Sequence, residues 1–147
     1  MNFNAKKFSE LTAAQVYEIL KSRSQIFMLE QGIRCLDMDD KDYDSFHFFY
    51  EQEGKILAYM RAFYVDEEKT CVKIGRVLSM EHKKGLGSAL TRETFSYLKD
   101  VLGVKKVIVS AQIGAVGFYE KMGFEKTSDE YLEENIPHIS MEFYLQN

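Results

Sequence analysis

Residues 77–90 read Val-Leu-Ser-Met-Glu-His-Lys-Lys-Gly-Leu-Gly-Ser-Ala-Leu: a strand, a basic glycine-containing turn, and the first turn of a helix. No other stretch constrains the chain as much. The start of a helix leaves several backbone N–H groups without partners and carries partial positive charge. Gly85 and Gly87 have no side chain to keep a ligand away from those groups. Taken alone, the pattern fits a phosphate or pyrophosphate site or a tight strand-to-helix connection.

Spacing removes two familiar phosphate loops. A P-loop carries Lys and then Ser or Thr directly after its last glycine, whereas Lys83 and Lys84 both precede Gly85. The dinucleotide fingerprint needs a third glycine where this chain has Leu90.

With 147 residues, 46% of them hydrophobic, the chain is expected to form one domain over 1–147 with a core that needs neither disulfides nor metal. A net charge of −4 argues against nucleic acid or an anionic membrane as the main partner, so the basic turn is a local device in an acidic protein. No apolar run is long enough to span a bilayer, and residues 1–7 lack the apolar core of a signal peptide, which makes the expected location cytoplasmic. Cys35 and Cys71 form no C-x-x-C pattern and are expected to be reduced and packed.

Thr12-Ala13-Ala14-Gln15 is a capping box, with Leu11 and Val16 at the spacing of a hydrophobic staple. The helix it starts should run towards Gly32. On that helix Arg23 and Glu30 fall on the stripe of Val16, Leu20 and Phe27 and must pair or face a cavity. Residues 45–52 and 56–65 predict a β-hairpin around Glu53-Gly54-Lys55, and residues 72–80 a strand in which Gly75 marks a bulge or a close backbone approach. A second helix carries Leu86, Leu90, Tyr97 and Val101 on one face and ends at Gly103. Val107 to Val109 predicts a buried strand. Ala115, Phe118, Tyr119 and Met122 mark a third helix capped by Gly123. A short strand near Phe124 and a last one with Ile139, Met141, Phe143 and Leu145 alternating complete a mixed α/β order.

Two motifs now combine. His82-Lys83-Lys84-Gly85-Leu86-Gly87 resembles the acyl-CoA signature Gln/Arg-x-x-Gly-x-Gly/Ala of the GNAT superfamily of N-acetyltransferases, with His82 departing at the first position. Residues 112–124 resemble its C-terminal motif: Gln112 stands at an Asn position, while Ala115, Tyr119 and Gly123-Phe124 match. The stretches 23–31, 37–40, 58–61, 75–77, 111–112 and 133–141 are similar to the ElaA-type branch, so the resemblance covers nearly the whole chain. Asn135 replaces a glycine of that pattern, and Asn tolerates positive φ better than most residues.

The resemblance implies an α/β (α+β) GNAT fold: a central mixed, mostly antiparallel sheet flanked by helices. It implies acetyl-CoA as co-substrate, an amine of a small molecule, peptide or protein as acceptor, and no metal. It leaves open whether the chain pairs as a homodimer. A non-catalytic acyl-CoA-binding module is the alternative, with His82 and Gln112 as signs of drift.

Cofactor contacts would come from Val77 and Leu78 on the strand, from His82, Lys83, Lys84, Gly85, Leu86, Gly87 and Ser88 in the turn, and from Gln112 and Tyr119. The amides of 84–88 would hold pyrophosphate, and the strand backbone would bind pantetheine and offer an N–H to the thioester oxygen. Tyr119 would protonate the departing thiolate, since a phenol near pKa 10 and a thiol near 8.5 are close enough for transfer.

Tyr119, His138 and Glu30 are the catalytic candidates; Arg23, Glu30, His47, Arg76 and His138 are candidates for acceptor contact. Each has a plainer role open to it. Tyr119 can be a core tyrosine, Gln112 a helix cap, the histidines ordinary hydrogen-bonded strand residues, and Arg61 and Arg76 salt-bridge partners on the sheet. The stretch Asp37 to Asp44 is read as a solvated acidic loop or as a wall attracting a cationic amine. Ser45 where a calcium loop needs glycine, and the strand-like residues after it, exclude an EF-hand.

Overall fold

The computed structural model describes residues 1–81 and 84–145. The chain opens with β1 (Asn2–Lys7), an edge strand without clear alternation that the sequence pattern did not predict. The capping box then forms as read. Thr12 Oγ1 accepts from the Gln15 amide and Gln15 Oε1 accepts from the Thr12 amide, both at 3.0 Å. It starts α1 (Ala13–Arg23).

The predicted single helix to Gly32 is corrected at Ser24. Ser24–Glu30 is a π-helical segment, with the Gln31 amide bonded back to the Ile26 carbonyl. The wider turn breaks the i, i+7 register. The buried stripe is Gln15, Ile19, Ser22, Arg23 and Ile26, and Glu30 is exposed rather than sharing a face with Arg23.

The hairpin β2 (Phe46–Gln52) and β3 (Lys55–Tyr64) turns on Glu53 and Gly54, both with positive φ, the conformation a two-residue loop needs to match strand twist. β4 (Cys71–Ser79) pairs with β3. Then come α2 (Leu86–Asp100), β5 (Lys106–Gln112), α3 (Val116–Met122), β6 (Glu125–Lys126), β7 (Tyr131–Glu133) and β8 (Ile136–Tyr144). Gly123 closes α3 at φ +104, and Asn135 adopts φ +62 before Pro137, as its side chain permits.

Among the described residues the strands form one sheet in the order β1-β2-β3-β4-β5-β8-β6, with β7 also on β8. Only β4 and β5 run parallel. Each face has its own core. Phe48, Met60, Ile74, Val107 and Val109 pack with Leu90, Phe95 and Leu98 of α2 and Tyr119 of α3. Phe49, Tyr59 and Leu78 pack on the other side with Ile19 and Ile26. On α2 the buried side is Leu90, Thr91, Thr94, Phe95 and Leu98; Leu86 and Tyr97 are half-buried and Val101 is exposed, so the predicted stripe is rotated. No helix of the described residues is long and apolar enough to cross a membrane.

Candidate active site

β4 and β5 are hydrogen-bonded only from Cys71–Lys106 to Ile74–Val109. Beyond that point β4 runs to Ser79 against β3 and β5 runs to Gln112 against β8, so a wedge opens between 75–79 and 110–112. The cause is a bulge. Between the pairs Arg61–Gly75 and Tyr59–Leu78, β4 spends one residue more than β3. The extra residue inverts the alternation: Val72 and Ile74 belong to the α2-side core, Leu78 to the α1-side core, and Val77 packs at the edge of the first. Gly75 does not supply the positive φ; Arg76 does, at +53. On the side away from β3, the backbone of Val77 and Leu78 therefore has no strand neighbour among the described residues.

At the end of β4 the glycine turn leads into α2. Gly85 is its N-cap at φ +71 with no side-chain cap, which leaves the first-turn amides to another acceptor. A Cβ added at Gly87 would lie 3.9 Å from the Phe118 ring, so α3 stands directly beside the turn. Leu86 and Ser88 occupy the first turn. Lys84 Nζ pairs with Glu81 at 2.9 Å, both side chains exposed. His82 and Lys83 lie outside the described residues.

Tyr119, next to Phe118, is buried at 5% exposure between the rings of Phe118 and Phe124. Burial pushes its pKa up, which keeps the phenol protonated.

A polar cluster occupies the far side of the wedge. Gln112 and His138 are register partners at the end of the β5–β8 ladder, and Gln112 Nε2 donates to Gln31 Oε1 at 3.5 Å. This bond brings the end of the π segment, with Glu30 beside Gln31, to the wedge; Gln112 does not cap a helix with its side chain. His138 Nδ1 donates to the Ile136 carbonyl at 2.6 Å, which leaves Nε2 as the basic nitrogen, 3.6 Å from Glu133. Ser110 bonds the Tyr131 hydroxyl and, at 3.2 Å, Glu133 Oε1. Ser140 donates to the same tyrosine. Ser110, Tyr131 and Glu133 were not anticipated: Tyr131 and Glu133 lie on β7, which is too short for a periodic signal, and Ser110 on β5 gains its partners only when β7 folds beside it.

Arg23 and His47 are corrected as acceptor-contact candidates. Arg23 is 0% exposed and belongs to a closed ring of three arginines and three aspartates. Asp37 bridges Arg23 and Arg76, each Nε at 2.8 Å. Asp42 bridges Arg23 at 2.7 Å and Arg61 at 3.0 Å. Asp39 bridges Arg61 at 2.6 Å and Arg76 at 3.5 Å. The loop expected to be a solvated acidic wall thus uses these three carboxylates to neutralise three guanidinium groups, two of them buried, because an unpaired buried charge is too costly. Burial by itself would raise the Asp39 and Asp42 carboxyls; hydrogen bonds and charge from Arg61 and Arg23 outweigh it and hold both below the usual range. Arg76 keeps a half-exposed side chain but spends Nε and Nη2 on Asp37.

His47 is buried. Its Nε2 donates to the Asp42 carbonyl at 2.9 Å and its Nδ1 accepts from the Tyr59 hydroxyl at 2.7 Å. Burial lowers its pKa, so it stays neutral inside the fold. No group of side chains suited to a metal ion occurs among the described residues, and both cysteines are free.

The family profile described as an acetyltransferase (GNAT) domain matches residues 27–145. The chain belongs to the GNAT acetyltransferase family. It is 32% identical to ElaA of Escherichia coli, with 90% of each chain covered, and 33% identical to a UPF0039 protein of Schizosaccharomyces pombe over 99% of this chain and 98% of that one. The crystal structure of Escherichia coli ElaA aligns with a TM-score of 0.87 at 29% identity, covering 97% of this chain and 99% of that chain. An acyl-CoA N-acyltransferase from Pseudomonas aeruginosa gives 0.87 at 30% identity, covering 96% and 97%. The mixed, mostly antiparallel sheet with helices on both faces is the GNAT fold, and membership makes this chain an acyltransferase.

Proposed function

We propose that this GNAT protein transfers the acetyl group of acetyl-CoA to an amine by direct attack. The observation that carries the reading is the parting of β4 from β5 beyond Ile74–Val109, at a point where the glycine turn and α3 stand together and β5 ends at Gln112, the register partner of His138. An extended pantetheine arm fits beside the free edge of β4 as an added strand would. The side-chain-free turn at Gly85 and Gly87 suits a pyrophosphate, with amides of 84–88 as donors.

Acetyl-CoA supplies a thioester that is already reactive, so the protein's work is positioning and proton movement. The Leu78 region of β4 offers an amide to the thioester oxygen. His138 Nε2 takes the proton of the attacking amine, and the Glu133 carboxylate stands beside it to attract a cationic acceptor. Tyr119, kept protonated by its burial, gives its proton to the leaving thiolate. Glu30, next to the Gln31–Gln112 contact, stands on the acceptor side.

The test has two stages. CoA at about one hundred times its dissociation constant should stabilise the fold by about 2.7 kcal/mol, a clear rise in melting temperature, while NADH and ATP do much less. CoA-thiol release is then followed with acetyl-CoA against a panel of primary amines. An unmoved melting curve would refute cofactor binding; CoA binding without turnover on any amine would favour a sensor module.

A further inference from the structure

The β4 bulge places a non-glycine residue of this site in an unfavourable backbone conformation. Arg76 holds φ +53, a region in which a Cβ crowds its own carbonyl and which glycine adopts freely. The neighbouring Gly75 does not take that conformation. Something outside β4 therefore has to hold Arg76 there.

Asp37 is placed to do so. Its Oδ1 receives Arg76 Nε at 2.8 Å and its backbone carbonyl receives Arg76 Nη2 at 2.8 Å, so one residue grips the guanidinium twice. Its other carboxylate oxygen receives Nε of the buried Arg23 at 2.8 Å, and its carbonyl receives Arg23 Nη2 at 3.3 Å. Asp37 thereby ties the bulge to α1. Asp42 and Asp39 close the ring through Arg61 on β3. The bulge is held against the two elements that cannot move without disrupting the α1-side core.

We propose that Asp37 is a positioning residue for the pantetheine site: by clamping Arg76 at positive φ it maintains the bulge that keeps β4 apart from β5. This rests on the reading of the wedge as the CoA site. When the clamp is released, Arg76 relaxes to an extended conformation, the alternation of β4 shifts by one residue, and residues 75–79 close towards 110–112. The pyrophosphate turn depends on Gly85 and the start of α2, and it survives the change.

The experiment compares Arg76→Ala with Arg76→Gly, measuring CoA and 3′,5′-ADP affinity by calorimetry well below the melting temperature. Both variants remove the guanidinium, and they differ only in whether positive φ is free of strain. Arg76→Ala should weaken CoA binding by about tenfold or more, the scale of losing one or two strand-like hydrogen bonds to the pantetheine arm. Its 3′,5′-ADP affinity should hold, and Arg76→Gly should bind CoA nearly as the unmodified protein does. Asp37→Asn should behave like Arg76→Ala, and Arg76→Gly added to it should restore CoA affinity. If Asp37→Asn folds poorly because Arg23 loses a partner, the Arg76 pair decides alone. Equal CoA loss in the Ala and Gly variants would mean that Arg76 touches the ligand itself and would overturn the proposal, as would unchanged affinity in both. An unmodified protein that fails to bind CoA refutes the wedge reading instead, and with it the basis of this one.

Discussion

His47 Nδ1 accepts a hydrogen bond from the Tyr59 hydroxyl at 2.7 Å, deep in the α1-side layer of the sheet. The same ring donates through Nε2 to the Asp42 carbonyl, so both nitrogens are used by the neutral form. Protonation would put a second hydrogen where Tyr59 donates. This is a structural histidine that locks the hairpin to the loop carrying the ion ring.

The pH dependence follows in sign. The His47 pKa is lowered in the fold, chiefly by burial, so below about pH 6.5 the unfolded chain binds a proton that the native chain refuses. Stability should fall as pH drops through that region. His47→Gln can still accept from Tyr59 and donate to Asp42, and it should flatten this limb in urea midpoints recorded from pH 5 to 8. An unchanged slope would show that His47 already carries its proton when folded.

A second acid limb belongs to Asp39 and Asp42. Their folded pKa values are depressed, so their contribution is complete above the unfolded value of about 3.9 and disappears as pH falls through the folded values. Unfolding below pH 4 should be steeper than in an Asp39→Asn/Asp42→Asn variant, measured by circular dichroism at fixed temperature. Parallel curves would mean that the two carboxyls titrate alike in the folded and unfolded chain.

Gly87→Glu should separate the turn's binding role from its role as a connection. Gly87 lies outside the left-handed region, and an added Cβ would make ordinary contact with Phe118 at 3.9 Å, so α2 should fold normally. The carboxylate would repel a pyrophosphate held by the helix start. CoA affinity should drop by at least about tenfold, the effect of replacing a charge-assisted contact with repulsion, with unchanged circular dichroism. Unaltered affinity would leave the turn as a connection only.

Tyr119→Phe keeps the ring between Phe118 and Phe124, so stability and CoA affinity should change little. As the general acid, Tyr119 should cost about 10²-fold in kcat when its hydroxyl is lost. The loss should shrink for an acyl donor whose thiol leaves more easily, a dependence that a packing defect would not show. Full activity against the best amine would return Tyr119 to the core.

Gly123→Ala tests the packing of α3 rather than the chemistry. A Cβ there would stand 2.8 Å from Phe143 Cε2, at φ +104. Backbone strain and overpacking together should remove about 3 kcal/mol of stability, read from urea unfolding. A loss below about 1 kcal/mol would mean that Phe143 moves aside freely.

What the sequence by itself determined is local. The capping box at Thr12, the Glu53-Gly54 turn, the strand–glycine–helix run at 77–90 and the Gly123 cap each act within a few residues, where a side chain's shape selects its own backbone. A bulge near Gly75 was legible for the same reason, though not that Arg76 would carry the positive φ. The wedge, the ring and the His138 cluster were decided by tertiary structure. Arg23, Asp37, Arg61 and Arg76 come from a helix, a loop and two strands, and the buried Arg23 and Arg61 are tolerable in the interior only once their aspartates arrive. β1 and β7 likewise have too little pattern of their own and exist as strands because β2 and β8 present edges to pair with.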